Sequence, residues 1–283
     1  MIVTVTPNLA LDVTYELPEL RPGESHRVRA VHERAGGKGV NVARVLRSLG
    51  HDVLVLGLAG GATGDAVRAD LDAAGLPHDL APCAGETRRT VTLVADGEAT
   101  MLGEPGPVVT AEEWAALEAR IPDADVLVVS GSLPPGVDAD AIARLAARDV
   151  PVIVDTSGEA LLRAAPHAWA VKPNAEELAA VTGTDDPVAG ARMLRARTAV
   201  VSLGAEGLIA VTGDEVHRVP APRVVAGNPT GAGDAVVAAL AAGAGSPWPD
   251  LLGDAAALAA ATVLAPVAGS FDSAAYEAFR ARP

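Results

Sequence analysis

Short unbroken apolar runs punctuate the chain at residues 1–5, 53–58, 126–129, 152–154, 169–171, 200–203 and 208–211. Runs with no polar face predict strands covered on both sides, as in a parallel sheet. Between them the pattern switches to helical spacing at 39–49, 65–74, 111–121, 139–148, 175–181 and 187–195. In the first of these, Val42, Val45, Leu46 and Leu49 recur at i, i+3, i+4 and i+7 and define one buried face. Thr110 followed by Glu113 predicts a capping box at the start of another. This alternation predicts an α/β fold: a mostly parallel central sheet flanked by helices.

Two stretches depart from that rhythm. Val13-Thr14-Tyr15-Glu16-Leu17 and Arg27-Val28-Arg29-Ala30-Val31 are separated by a Pro/Gly turn, and Thr90-Val91-Thr92-Leu93-Val94 and Thr100-Met101-Leu102 by Asp96-Gly97. Alternation around turn residues signals hairpins. Four antiparallel strands are therefore expected to form a small sheet apart from the main one, a candidate β lid. The division that follows is a lid of residues 12–34 and 85–104, with 1–11, 35–84 and 105–283 forming the α/β domain.

Composition narrows the partners. Only 2% of the residues are aromatic against 49% hydrophobic, so Val, Leu and Ala must fill the core. A net charge of −14 opposes generic binding to nucleic acid or an anionic membrane. Cys83 is the lone cysteine, which excludes an internal disulfide and favours a reducing compartment. Met1 runs directly into a strand, leaving no room for a signal peptide, and the longest apolar stretch, 255–268, is too short to span a bilayer and contains Pro266. A cytoplasmic location is expected. Among 22 basic residues only Lys38 and Lys172 are lysines, so these two positions are candidates for a compact ammonium.

The richest segment for chemistry is Asn228-Pro229-Thr230-Gly231-Ala232-Gly233-Asp234, which leads into the apolar run 235–240. Gly231, Ala232 and Gly233 permit a tight turn into a helix, whose unpaired N–H groups and positive end make an anion hole. Asp234 at its rim is placed to take a proton from a hydroxyl, or else merely to cap the helix. Asn8 and Asp12 follow the first strand, where ligands sit in open parallel sheets. Gly36-Gly37-Lys38-Gly39-Val40-Asn41 opens a helix, with glycines for close approach and Lys38 for charge. Its spacing is not that of a Walker loop. Gly57, Gly60, Gly61 and Gly64 resemble a dinucleotide turn, but no acidic residue ends the next strand to meet a ribose. Asn174 and Glu177 open a further helix, where Glu177 suits either dipole compensation or magnesium held through water. Ser202, Gly204, Glu206 and Gly207 fit a turn near a nucleotide or a plain hairpin. Arg88 reads as a surface arginine or as a contact to an anionic substrate.

Taken in order, these segments resemble the ribokinase-like carbohydrate kinases of the PfkB family over essentially the whole chain. Gly85-Glu86-Thr87-Arg88, Glu104-Pro105-Gly106-Pro107 and Ser130-Gly131-Ser132-Leu133-Pro134-Pro135-Gly136 resemble its 1-phosphofructokinase and tagatose-6-phosphate kinase branch. The resemblance implies Mg·ATP as phosphoryl donor and Asp234 as catalytic base beside a Gly231-Ala232-Gly233 anion hole. It implies a nucleotide site around Lys172, Asn174, Ser202, Gly204, Glu206 and Gly207, with Glu177 serving magnesium. Asn8, Asp12, Gly36, Gly37 and Asn41 would line the sugar, and Lys38 and Arg88 would clamp the phosphate it already carries. Members often dimerise through the lid. Leu9, Gly103 and Asn228-Pro229 depart from the family pattern, Gly103 within the lid.

The function expected is phosphorylation of a phosphorylated ketohexose, with fructose 1-phosphate leading. A kinase for a plain sugar or nucleoside, and a non-catalytic sugar-phosphate sensor, are the competing readings. A neutral acceptor would waste two cations, and a sensor would need no base.

Overall fold

The computed structural model describes residues 1–96, 98–224 and 227–281. The main sheet is built from β1 (Ile2–Thr6), β4 (Val53–Ala59), β5 (His78–Pro82), β8 (Val126–Ser130), β9 (Val152–Asp155), β10 (Ala170–Val171), β11 (Ala199–Ser202), β12 (Leu208–Thr212) and β13 (Glu215–Val219). Its order is β13-β12-β11-β10-β9-β8-β1-β4-β5, parallel from β11 to β5 and antiparallel at the β11-β12-β13 end. Alternate residues of the central strands feed two cores. Ile2, Val128 and Ile153 face one side, whereas Val3, Val5, Val129 and Val154 face the other.

The first core is closed by α1 (Lys38–Ser48), α2 (Gly61–Ala73), α8 (Ala232–Ala242) and α9 (Trp248–Val263), against which α10 (Ser273–Arg280) packs. The second is closed by α3 (Ala111–Glu118), α4 (Asp140–Ala146), α5 (Gly158–Ala164), α6 (Ala175–Thr182) and α7 (Pro187–Met193). Val42, Val45 and Leu46 of α1 are fully buried, and Thr110 and Glu113 form the reciprocal capping box at α3. No described helix is long and apolar enough to cross a membrane.

The small sheet has the order β3-β2-β6-β7, from β2 (Ala10–Glu16), β3 (Ala30–Gly36), β6 (Arg88–Ala95) and β7 (Glu98–Gly103). Two expectations are corrected here. The hairpins β2-β3 and β6-β7 are antiparallel, but the sheet joins them through a parallel β2-β6 pair, so it is mixed. The second strand also lies three residues later than its alternation implied, at Ala30 rather than Arg27, and runs on to Gly36. Both ends of the hairpin therefore reach past the expected lid boundary, from Ala10 to Gly36. Gly97, the second residue of the Asp96-Gly97 turn, lies outside the described residues. Leu11, Val13 and Ala35 project from one face into the core that also holds Val67 and Leu71 of α2. Asp12 and its opposite residue Arg34 project from the other face.

Candidate active site

Asp234 stands in the first turn of α8 and is only 6% exposed. Gly231 caps this helix with φ 87°, a left-handed conformation that favours glycine, and a Cβ there would sit 3.0 Å from the Ala268 Cα. The turn is internally braced: Thr230 N–H donates to the Asn228 side chain and Ala232 N–H to the Pro229 carbonyl. With Ala232 so engaged, the first-turn amides left without a helical partner are those of Gly233 and Asp234. Asn41, one turn into α1, donates from Nδ2 to Asp234 Oδ2 at 2.9 Å. Burial, with Asp155 adding repulsion, pushes the Asp234 carboxyl from the usual 3.8 up to about 7, against the pull of Asn41, Lys38 and Lys172.

Asp155 was absent from the sequence-based candidates. It ends β9 with its side chain 1% exposed, and both lysines of the chain meet it. Lys38 Nζ lies 3.3 Å and Lys172 Nζ 3.4 Å from Oδ1, while Ser130 Oγ donates to Oδ2 at 3.3 Å. The signal for it was the strand β9 itself: Asp155 closes a run of apolar residues at the carboxyl edge of the sheet, where functional side chains collect. Lys172 is 4% exposed and its ammonium lies beneath Gly233, 3.5 Å from where a Cβ would be. Two ammoniums and the α8 amides thus converge beside Asp234. Burial disfavours the charge on Lys38, but Asp155, Glu177 and Asp234 outweigh it and hold the pKa raised.

Glu177 shares a capping box with Asn174: Asn174 N–H donates to Oε2 at 2.9 Å, and Glu177 N–H donates to Asn174 Oδ1 at 2.7 Å. Its other oxygen, Oε1, lies 3.6 Å from Lys38 Nζ. Asn174 also bridges to Ser202, and Ser202 begins the β11-β12 hairpin through a 3₁₀ turn at Gly204–Glu206. Gly207 has φ 101°, and a Cβ there would collide with the Val219 carbonyl, so the turn accepts only glycine. The hairpin alternative for Ser202–Gly207 is thus the local geometry, and it sets Ser202 beside Asn174 at the edge of the site.

On the small sheet, the Asp12 carboxylate lies directly over Gly36, where any Cβ would strike it. Gly37 has φ 98° and turns the chain from β3 into α1, carrying Lys38 and Asn41 inward. Burial raises the Asp12 pKa against hydrogen bonding from Thr90 and the charges of Arg88, Arg34 and Arg44. Asn8 is used structurally: Nδ2 donates to the Pro105 carbonyl at 3.0 Å, and its Oδ1 packs against Gly106, leaving no room for a side chain there. Arg88 donates from Nε to the Asn8 carbonyl at 3.1 Å and from Nη1 to Thr90 Oγ1 at 3.2 Å. The clamp expected from Lys38 and Arg88 is not assembled. Lys38 sits among Asp155 and Glu177, Arg88 among Asn8 and Thr90, and among the described residues they share no hydrogen-bond or ion-pair partner. The glycines at 57–64 also have a plain role, because the α2 N-terminus is filled by the chain's own Glu86, which accepts from Thr63 N–H at 2.6 Å.

Residues 8–274 match the model of the pfkB family carbohydrate kinases. The chain belongs to the pfkB family. This pfkB-family carbohydrate kinase, a phosphotransferase, is 41% identical over 255 residues to a 1-phosphofructokinase from Haloferax volcanii, covering 86% of this chain and 83% of the relative. Its fold superposes with a TM-score of 0.93 on phosphofructokinase-2 from Escherichia coli in complex with potassium, at 29% identity over 99% of this chain and 98% of that one. For the same enzyme in complex with fructose-6-phosphate the TM-score is 0.90, again at 29% identity and over 99% and 98% of the two chains. Membership of this kinase family implies ATP as a substrate.

Proposed function

We propose that this kinase transfers the γ-phosphoryl group of ATP to fructose 1-phosphate, giving fructose 1,6-bisphosphate. The observation that carries the reading is the buried Asp234 at the amino end of α8, hydrogen-bonded to Asn41 with its carboxyl held near neutral pH. A base with that affinity takes a proton from an alcohol efficiently at physiological pH. The Haloferax relative's name and the fructose-6-phosphate complex of the Escherichia coli enzyme support a fructose phosphate as acceptor.

The sugar lies between the two sheets, its hydroxyls on Asp12, Asn41 and the Gly36-Gly37 backbone, and one hydroxyl at Asp234. As that hydroxyl attacks phosphorus, its proton passes to Asp234 and the bond to the ADP oxygen breaks in line. The N–H groups of Gly233 and Asp234, with Lys172 behind and Lys38 beside them, meet the charge that spreads over the transferring oxygens. Lys38 thus serves the transferring phosphoryl, and Arg88 on the small sheet the phosphate already present. Asn174, Ser202 and the turn through Gly204, Glu206 and Gly207 border the nucleotide. Among the described residues no three His, Cys, Asp or Glu side chains gather as a cage for a metal. Glu177 keeps Oε1 outside its capping box, 3.6 Å from Lys38 Nζ, and would hold a magnesium ion through that ion's water. When bound, that ion neutralises phosphate charge.

The small sheet is the lid in this reading, closing over the sugar to exclude water. Exposed Val31, Met101 and Leu102 support pairing with a second copy through it. The composition and single cysteine support a cytoplasmic location. The test is Arg88→Ala. A charge-assisted hydrogen bond is worth roughly 1.5–3 kcal/mol, so KM for fructose 1-phosphate should rise about ten- to hundredfold while KM for ATP stays nearly constant. Equal movement of both constants would refute the phosphosugar assignment.

A further inference from the structure

The inner face of the small sheet carries two arginines that, among the described residues, have no counter-ion within ion-pair distance. In register, Asp12 on β2 stands opposite Arg34 on β3 and Thr90 on β6, while Arg88 is opposite Ala10, two residues along. Opposed residues, and residues two apart in a strand, share a face, so Arg34, Asp12, Thr90 and Arg88 all project from the same side. The opposite face is the one buried on α2.

Both guanidiniums are half-buried, and both spend their donors on neutral oxygens. Arg34 Nη1 donates to the Ala268 carbonyl at 2.9 Å, and Arg88 reaches the Asn8 carbonyl and the Thr90 hydroxyl. Among the described residues no carboxylate comes within ion-pair distance of either, although Asp12 is near both. Arg44, their neighbour, contrasts with them: it is ion-paired with Asp70. A partly desolvated cation that lacks a counter-ion is costly unless a charge arrives to meet it.

Position says what that charge belongs to. β3 and β6 flank β2 and the two arginines are offset by two residues along the strands, so their stems start roughly 12 Å apart, a gap their forked heads can close around one phosphate. Arg34 is also tied to the transfer site. Its acceptor Ala268 packs on Gly231, and the following Gly269 packs on Asn41, the residue bonded to Asp234.

We propose that Arg34 is a substrate-binding residue of the acceptor site, holding with Arg88 the phosphate the sugar already carries. The inference rests on the phosphosugar reading above and supplies the second cation that Lys38, drawn to Asp155, does not. Its chemistry is bidentate: the two guanidiniums bind phosphate oxygens on either side of Asp12, which is left free for a sugar hydroxyl.

The test compares wild type with Arg34→Gln, which keeps an amide donor for the Ala268 carbonyl but no charge, and with Arg34→Lys. For Arg34→Gln, KM for fructose 1-phosphate should rise about ten- to hundredfold and KM for ATP change by no more than about twofold, with Arg34→Lys recovering part of the loss. Protection against thermal unfolding by inorganic phosphate, read without turnover, should be weaker in Arg34→Gln than in wild type. An unchanged KM for the phosphosugar with unchanged phosphate protection would overturn the proposal. So would a parallel rise of both KM values with a lowered melting temperature, which assigns Arg34 to bracing Ala268 alone. Failure of the underlying phosphosugar reading is visible separately, in wild type preferring plain fructose, and the phosphate-protection comparison still decides Arg34 in that case.

Discussion

Asp234→Asn should make the enzyme nearly inactive and measurably more stable. The substitution keeps the size of the side chain and its ability to accept from Asn41, and removes only the ionisable group. In the folded protein the Asp234 pKa is about 7 against 3.8 for the unconstrained carboxyl, raised first by burial and then by Asp155. The sign follows from which state holds the proton: between pH 3.8 and 7 the unfolded chain has released it and the folded chain has not. Stability therefore falls as pH rises through that window and levels off above it. At 1.36 kcal/mol per decade, carrying Asp234 costs the fold at most about 4 kcal/mol at pH 8 and less than half of that at pH 5. Asparagine carries no such cost. At roughly 2 °C per kcal/mol for a chain of this size, the variant should melt up to about 8 °C higher at pH 8, with a smaller gain at pH 5. Its kcat should drop by at least 10²–10⁴-fold, roughly the worth of a general base. Thermal unfolding at the two pH values and ADP release at saturating substrates measure both effects. A variant keeping more than about a tenth of the wild-type kcat, or gaining equally at both pH values, would refute the assignment of Asp234 as a buried base.

Asp155→Asn should move the acid limb of kcat/KM to lower pH, because it removes the repulsion that helps raise Asp234, and it should lower the melting temperature by leaving the buried Lys172 unpaired; an unmoved limb in a folded variant would exclude that coupling. Glu177→Gln should raise the magnesium concentration needed for half-maximal activity more than it raises KM for the sugar. No change in the magnesium titration would leave Glu177 as a helix cap only.

Much of this architecture was legible in the chain because its central strands are apolar on both faces. Three of the elements that escaped have a physical reason. β5 and β13 are edge strands with polar residues such as His78, Asp79, Glu215 and Arg218, so they lack the continuous apolar signature. α9 is Ala- and Leu-rich and buried around most of its surface, so it shows no polar face from which a period can be read. In the small sheet, alternation located the hairpins but not their mutual direction, since a parallel β2-β6 pair depends on contacts 78 residues apart. The site followed the same rule. Asp234, the glycine turn, Asn41 and the two lysines stood out locally, whereas the meeting of both lysines on Asp155 is a property of the tertiary fold. Lys38 and Arg88 have separate partners in the fold, which charge counting along the sequence does not foresee because it is blind to Asp155 and Glu177 beside Lys38.

The central claim, that the acceptor is a phosphorylated ketohexose, is tested most directly by ADP release from the wild-type enzyme with fructose 1-phosphate and plain fructose under the same Mg·ATP conditions. The site predicts kcat/KM higher for fructose 1-phosphate by about two orders of magnitude or more, since two charge-assisted contacts each contribute roughly 1.5–3 kcal/mol. Equal values, or a preference for fructose, would contradict it.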